Sequence, residues 1–204
     1  MARNKVAAKK PEPRPRNAAA TRAAILEAAR AAFARAGYGG VGLREIAAEA
    51  GVTAMMIGRY FGSKEQLFAE VIADNMARPS ILTAENLNAP NSPAVMAQTL
   101  VDITKPDEVP LVGFLIMLHS AQNNTAAGIN REQIEQNNHR VLTEALAGRD
   151  AAQRAAILLA LVAGFQMMRQ TIGLSALAEA KPKTLVKLLT PLFEHIIQGD
   201  QATR

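Results

Sequence analysis

The chain holds few groups suited to covalent or metal chemistry. It has three histidines, His119, His139 and His195, and no cysteine. Glu135 and His139 stand four residues apart on one predicted helix, and Glu194 adjoins His195. A carboxylate-bridged di-iron bundle instead needs Glu-x-x-His on two helices, with further glutamates. That pattern is absent, as is any Ser-His-Asp or phosphate-loop context. His119 with Gln122 and Asn123 could place polar groups in a pocket, although a lone histidine on an apolar helix is more often a satisfied boundary residue. Gly37-Tyr38-Gly39-Gly40-Val41-Gly42 spells G-x-G-x-x-G. A dinucleotide fingerprint, however, requires a preceding strand inside a βαβ unit. Here a helical pattern precedes the glycines, so the run reads as a helix-to-helix loop. Neither enzymatic activity nor a cofactor is expected.

The chemistry that the sequence supports is recognition of a polyanion. Leu43 to Phe68 reads L-R-E-I-A-A-E-A-G-V-T-A-M-M-I-G-R-Y-F-G-S-K-E-Q-L-F. Leu43, Ile46, Ala47 and Ala50 recur with a helical period, and Gly51 follows where a left-handed residue would end that helix. Thr53 suits the cap of a second short helix running to Phe61. Ser63 with Gln66 three residues on is a capping-box signal for a third helix. Small Ala47, Gly51 four residues later and Ile57 six beyond that give the helix-turn-helix spacing, in which the second helix is held out toward a DNA major groove.

G-V-T-A-M-M-I-G-R-Y-F-G-S-K-E-Q-L-F resembles the end of the DNA-binding domain in the TetR family of transcriptional regulators. The similarity runs over about Thr21 to Asn75. It implies that Arg44, Thr53, Tyr60 and Lys64 contact phosphates or groove edges, with Arg44 also suited to read guanine through its bidentate fork. On the recognition helix, Ala54 and Met55 suit thymine methyl groups and Arg59 a phosphate or guanine. Met56 is assigned to the core. Many relatives carry a tyrosine where this chain has Gly58. That glycine removes a contact and costs roughly 1 kcal/mol against alanine inside a helix. Thr21 to Met76 holds six basic and six acidic residues, so the reader has no net charge.

The elements that must position these residues are helices throughout. Thr21 to Ala36 has an apolar stripe at Ile25, Ala28, Ala29, Ala32 and Phe33, with Asn17 or Thr21 as its cap. Lys64 to about Ala77 continues the helix-turn-helix, and prolines 79, 90 and 93 mark a connection over 79–93. Further helices are expected over Ala94 to Ile103, Pro106 to Ala126, Arg131 to Ala147, Asp150 to Gly173 and Pro182 to Gln198, the last kinked or broken at Pro191. No period-2 run appears. The predicted class is all-α: a basic tail over 1–20, a three-helix DNA-binding domain over 21–76, and a helical ligand-binding and dimerisation domain over 77–204.

The net charge of +5 sits in residues 1–20, where Arg3, Lys5, Lys9, Lys10, Arg14 and Arg16 face only Glu12. That composition cannot bury a core. It suits either an arm along DNA phosphates or a solubilising tail. The longest nearly pure apolar run, Ala155 to Phe165, is too short to span a bilayer. No signal-peptide core is present, and the lack of cysteine suits a reducing cytosol, so a cytoplasmic protein is expected. The resemblance implies a homodimer through helices at about 150–173 and 182–198, binding a palindromic operator. It also implies release by a small apolar or amphipathic ligand, for which Phe114, Met117, Leu118, Phe165, Met167 and Met168 between the central helices are the candidate lining, residues that equally suit a plain core. The competing expectation is a nucleoid-associated protein of the same fold with no inducer.

Overall fold

A computed structural model describes residues 18–76, 81–106, 108 and 111–199. The basic tail up to residue 17, including Asn17, and the start of the expected connection at 79 and 80 lie outside the described residues. Among the described residues the protein is built from helices, with no strand.

The first four helices are α1 (Ala18–Ala36), α2 (Leu43–Glu49), α3 (Ala54–Phe61) and α4 (Lys64–Met76). Thr21 lies buried inside α1 and does not cap it, because the helix begins earlier than the apolar stripe suggests. Gly51 has φ +67° at the turn between α2 and α3, the left-handed conformation that glycine adopts without a Cβ penalty. Glu45 accepts from the Gly42 N–H at 2.6 Å. Ser63 N–H donates to Gln66 Oε1 at 3.0 Å while Gln66 N–H donates to Ser63 Oγ at 3.2 Å. These bonds satisfy orphan donors at the starts of α2 and α4. The four helices close around Ile25, Phe33, Ile46, Ile57, Leu67 and Phe68, all fully buried. Phe68 meets Phe33 and Tyr38 edge-on at 5.0 and 5.1 Å between centroids, a geometry that favours the ring quadrupoles.

The remaining helices are α5 (Ala84–Asn88), α6 (Ser92–Ile103), α7 (Val112–Ser120), α8 (Asn124–Ile134), α9 (Arg140–Ala145), α10 (Ala151–Gln166), α11 (Ser175–Ala178) and α12 (Pro182–Gln198). Two π-helical turns interrupt the pattern, Glu135–His139 between α8 and α9 and Met167–Thr171 after α10. The single helix expected over Pro106 to Ala126 is two, because the Asn123 side chain accepts from the Ala126 N–H at 3.0 Å and starts α8 afresh. Pro191 does not end α12. It lies on the exposed side with Lys187, whose carbonyl loses its intrahelical donor and meets solvent.

The hydrophobic interior has two parts. Leu100, Leu142, Leu158 and Phe193 belong to a second cluster built from α5, α6, α9, α10 and α12. α7 and α8 send their buried residues the other way: Ile116 and Ala126 join the cluster of α1–α4. The C-terminal end of α7 is also hydrogen-bonded to the first helices. Tyr38 N–H donates to Ser120 Oγ at 2.9 Å, and His119 Nδ1 lies 2.7 Å from Ala34 O. Gly37, at φ +67°, allows this approach, since a Cβ there would run into the backbone of His119.

Within Ala151–Thr171 the most apolar 18-residue window has a mean hydropathy of 1.4, and by length and composition alone the helix could cross a membrane. The apolar run of 155–165 did not suggest this, because the helix continues through the second π-helical turn. Of its most apolar window, 22% is buried inside the chain. Ile157 and Met168 stay exposed, as do Leu188 and Leu192 on α12.

Two buried arginines tie helix ends together. Arg169 donates to Val101 O at 2.6 Å and Thr104 Oγ1 at 3.1 Å at the end of α6. Burial holds its pKa below the usual arginine value, and the negative end of a helix suits a cation there. Arg154 donates to the carbonyls of Ala147, Arg149, Ile196 and Ile197. It thereby joins the start of α10 to the end of α12. Replacing it, as Arg154→Met, leaves those carbonyls without their charged donor and should cost about 2–4 kcal/mol. Urea unfolding followed by circular dichroism measures this, and an unchanged midpoint would remove Arg154 from the account.

Candidate nucleic-acid interface

Each residue expected to meet DNA lies within or beside the α2–α3–α4 unit. Arg44 is the second residue of α2 and exposed. Thr53 is the N-cap of α3, and its Oγ1 accepts from the Met56 N–H at a long 3.4 Å. Its hydroxyl proton is thus left to donate outward. Met55 is 85% exposed and Arg59 is exposed, whereas Ala54, Met56 and Tyr60 are half-buried. Ile57 and Phe61 hold the buried side of α3. Lys64 opens α4, where unpaired N–H groups and the helix dipole favour an anion.

The balance of six bases and six acids in this region hides an uneven arrangement. Arg22 pairs with Glu70, Arg30 with both Glu27 and Asp74, and Arg35 with Glu49. Glu45 is held by the Gly42 N–H and Glu65 by the Tyr38 hydroxyl at 2.6 Å. All six carboxylates are therefore engaged inside the unit. Arg44, Arg59 and Lys64 are the cations left without an ion pair among the described residues. A nominally neutral surface thus offers three unneutralised cations, all on the residues expected to face DNA.

Lys64 lies over the Tyr38 ring, 4.3 Å from its centroid. Desolvation lowers its pKa, opposed by the charges of Glu65 and Glu45. Burial and the bond to Glu65 raise the Tyr38 phenol to about 12, and that bond is the first cause of the drop of Glu65 to about 2. This pair holds the loop before α2 against the start of α4. Gly58 differs from the other glycines discussed. It is helical and exposed, and a Cβ added there would meet nothing within 4 Å. No internal packing demands a glycine at that position.

A cavity of about 480 Å³, widely open to solvent, lies at the seam between the two interior clusters. Its apolar side is Met117 and Ala121 from the end of α7, Ala127 from α8, and Ala156 and Leu159 from α10. Asn130, Arg131, Ile134, Glu135 and His139 form the other side, along α8 and its π-helical turn. Of the six residues expected to line a ligand site, Met117 borders this cavity. Phe114 and Leu118 stand on the same helix but off that wall. Phe165 and Met167 are half-buried outside it, and Met168 is 44% exposed. The spacing of Arg131, Glu135 and His139, four residues apart, was the signal in the sequence for the polar side.

Residues 25–71 match the sequence pattern of bacterial regulatory proteins of the tetR family, and residues 92–197 match that of a tetracyclin repressor-like C-terminal domain. An HTH-type transcriptional repressor of Streptomyces coelicolor is 46% identical over 61 residues, 30% of this chain and 32% of that protein. The chain thus aligns with about a third of that relative's length. A TetR-family transcriptional regulator from a Rhodococcus species shares the fold with a TM-score of 0.65 at 16% identity, over 88% of this chain and 99% of that one. AibR, solved in complex with isovaleryl coenzyme A and operator DNA, gives 0.57 at 17% identity, over 84% of this chain and 97% of its own.

Two outcomes follow from the local geometry. The depressed Glu65 adds stability that is present above its ordinary pKa of 4.5 and lost as pH falls toward 2. The raised Tyr38 adds stability present below 10 and lost as pH rises through about 12. Thermal melts of Tyr38→Phe across pH should show both limbs flattened relative to the parent; unchanged limbs would break the assignment. Gly58→Ala should stabilise the protein by about 1 kcal/mol, read from the same melts at neutral pH.

Proposed function

Since the chain belongs to the TetR family of bacterial regulatory proteins and is a transcriptional regulator, we propose that it is a cytoplasmic, homodimeric repressor that a small ligand releases from a palindromic operator. The observation that carries the DNA-binding part is the charge arrangement. Internal carboxylates engage Arg22, Arg30 and Arg35, leaving Arg44, Arg59 and Lys64 for phosphates or guanines. Thr53 and Tyr60 would add neutral phosphate contacts, and Ala54 and Met55 would touch thymine methyls.

Dimerisation would come from α10 and α12, whose exposed Ile157, Leu188 and Leu192 would be buried against a second copy. Two readers could then span successive major grooves about 34–36 Å apart. The seam cavity would be the ligand site. Met117 and Ala121 on its wall flank His119 and Ser120, which hold the end of α1. A ligand that favours one position of that wall would bias the position of the reader, and DNA would in turn bias the ligand's affinity.

Selection from a random DNA pool with the full chain and with Arg44→Ala tests this reading. The parent should enrich a palindrome and the variant should lose it. Six neutralised phosphates per dimer predict a slope of log affinity against log salt of about −5, and about two units shallower for Arg44→Ala. Binding with no enriched sequence would instead support a nucleoid-associated protein, and would overturn the repressor.

A further inference from the structure

We infer that the seam cavity takes a small amphipathic acid that also carries a hydroxyl group about one helical turn from its carboxylate. The inference rests on the ligand-responsive reading above and adds the chemical class. Four observations carry it. Asn130 is 6% exposed, yet its amide has no hydrogen-bond partner among the described residues. Its amide atoms stay accessible to solvent, so a group entering the cavity could bond to them in place of water. Arg131, at the rim, has no ion pair among the described residues. Its guanidinium is a donor-only fork suited to a carboxylate.

Glu135, one turn further along the same wall, is likewise unpaired among the described residues and only accepts. It repels a second acid and suits a hydroxyl donor. His139 Nε2 lies 2.8 Å from Ala152 O, so that nitrogen carries the proton and Nδ1 is left as an acceptor in the neutral ring. The polar wall therefore reads, in order, a cation for an acid and two acceptors for a donor, with Asn130 beneath. The opposite wall, Met117, Ala121 and Leu159, has no polar side chain, which fits a flat apolar body; the Met117 thioether suits an aromatic ring. A volume of about 480 Å³ accommodates one or two rings. A ring with para substituents spans about the rise from Arg131 to Glu135.

Calorimetric titration of the full chain, free of DNA, tests this with 4-hydroxybenzoate and 6-hydroxy-2-naphthoate. The controls are benzoate, which lacks the hydroxyl, and 4-hydroxybenzamide, which lacks the charge. At least one hydroxy acid should bind, and each control should bind about tenfold more weakly, the equivalent of about 1.4 kcal/mol. Arg131→Gln should abolish the preference for acid over amide, and Glu135→Gln the preference for hydroxybenzoate over benzoate. Both side chains are exposed at the rim, so both variants should melt as the parent does. The inference is overturned if neither hydroxy acid binds, if the amide binds as well as the acid, or if Arg131→Gln keeps the preference. Because no DNA is present, such a failure leaves a selected palindrome standing, and a failed selection leaves the ligand profile standing.

Discussion

Two hydrogen bonds at the end of α7, Tyr38 N–H to Ser120 Oγ and His119 Nδ1 to Ala34 O, fix the later helices to the first four. Around them Ile116 and Ala126 are fully buried among side chains from α1 to α4. Their role goes beyond fastening. Helices packed at interior density do not deform smoothly; they move as bodies or not at all. α7 and α8 share a core with the reader, while their other sides face α10 across the cavity. A displacement at that wall has no soft layer in which to dissipate before it reaches α1.

The electrostatics of the reader depend on the same compactness. Arg30 is almost entirely buried and contacts both Glu27 and Asp74. Removing one partner of such an arrangement is expensive, though the intact pair adds little net stability. The value of these pairs lies in what they exclude. Each internal carboxylate is already engaged, so none neutralises Arg44 or Arg59. A domain with no net charge can hold a local positive field because its negative charges are committed elsewhere.

Much of the architecture was legible in the sequence because its signals are local. Gly51, Thr53 and the Ser63–Gln66 box act over three or four residues, and each has the expected geometry. The all-helical class followed from the same punctuation. What could not be read depends on distance. Arg22 and Glu70 are 48 residues apart and Arg30 and Asp74 are 44, so no window reveals which cations are consumed. The allegiance of α7 and α8 is likewise a tertiary choice: Val112 to Ser120 is apolar on nearly every side, which fixes burial but not the neighbour. The cavity escaped for the same reason. Its walls come from three helices, and a methionine-rich stretch such as Gln166 to Arg169 looks like a pocket lining whether or not a void adjoins it.

Gly58 gives the recognition helix room to evolve. At most positions of a small domain a new side chain must first be accommodated by the fold, and the stability lost limits which changes a lineage can try. Here a Cβ meets nothing within 4 Å, and any other ordinary residue is a better helix former than glycine. A mutation at this site can therefore add a side chain to the exposed face of α3 while strengthening that helix. In the proposed DNA reader, divergence of two gene copies toward different operators could start from this one residue, with no compensating change elsewhere.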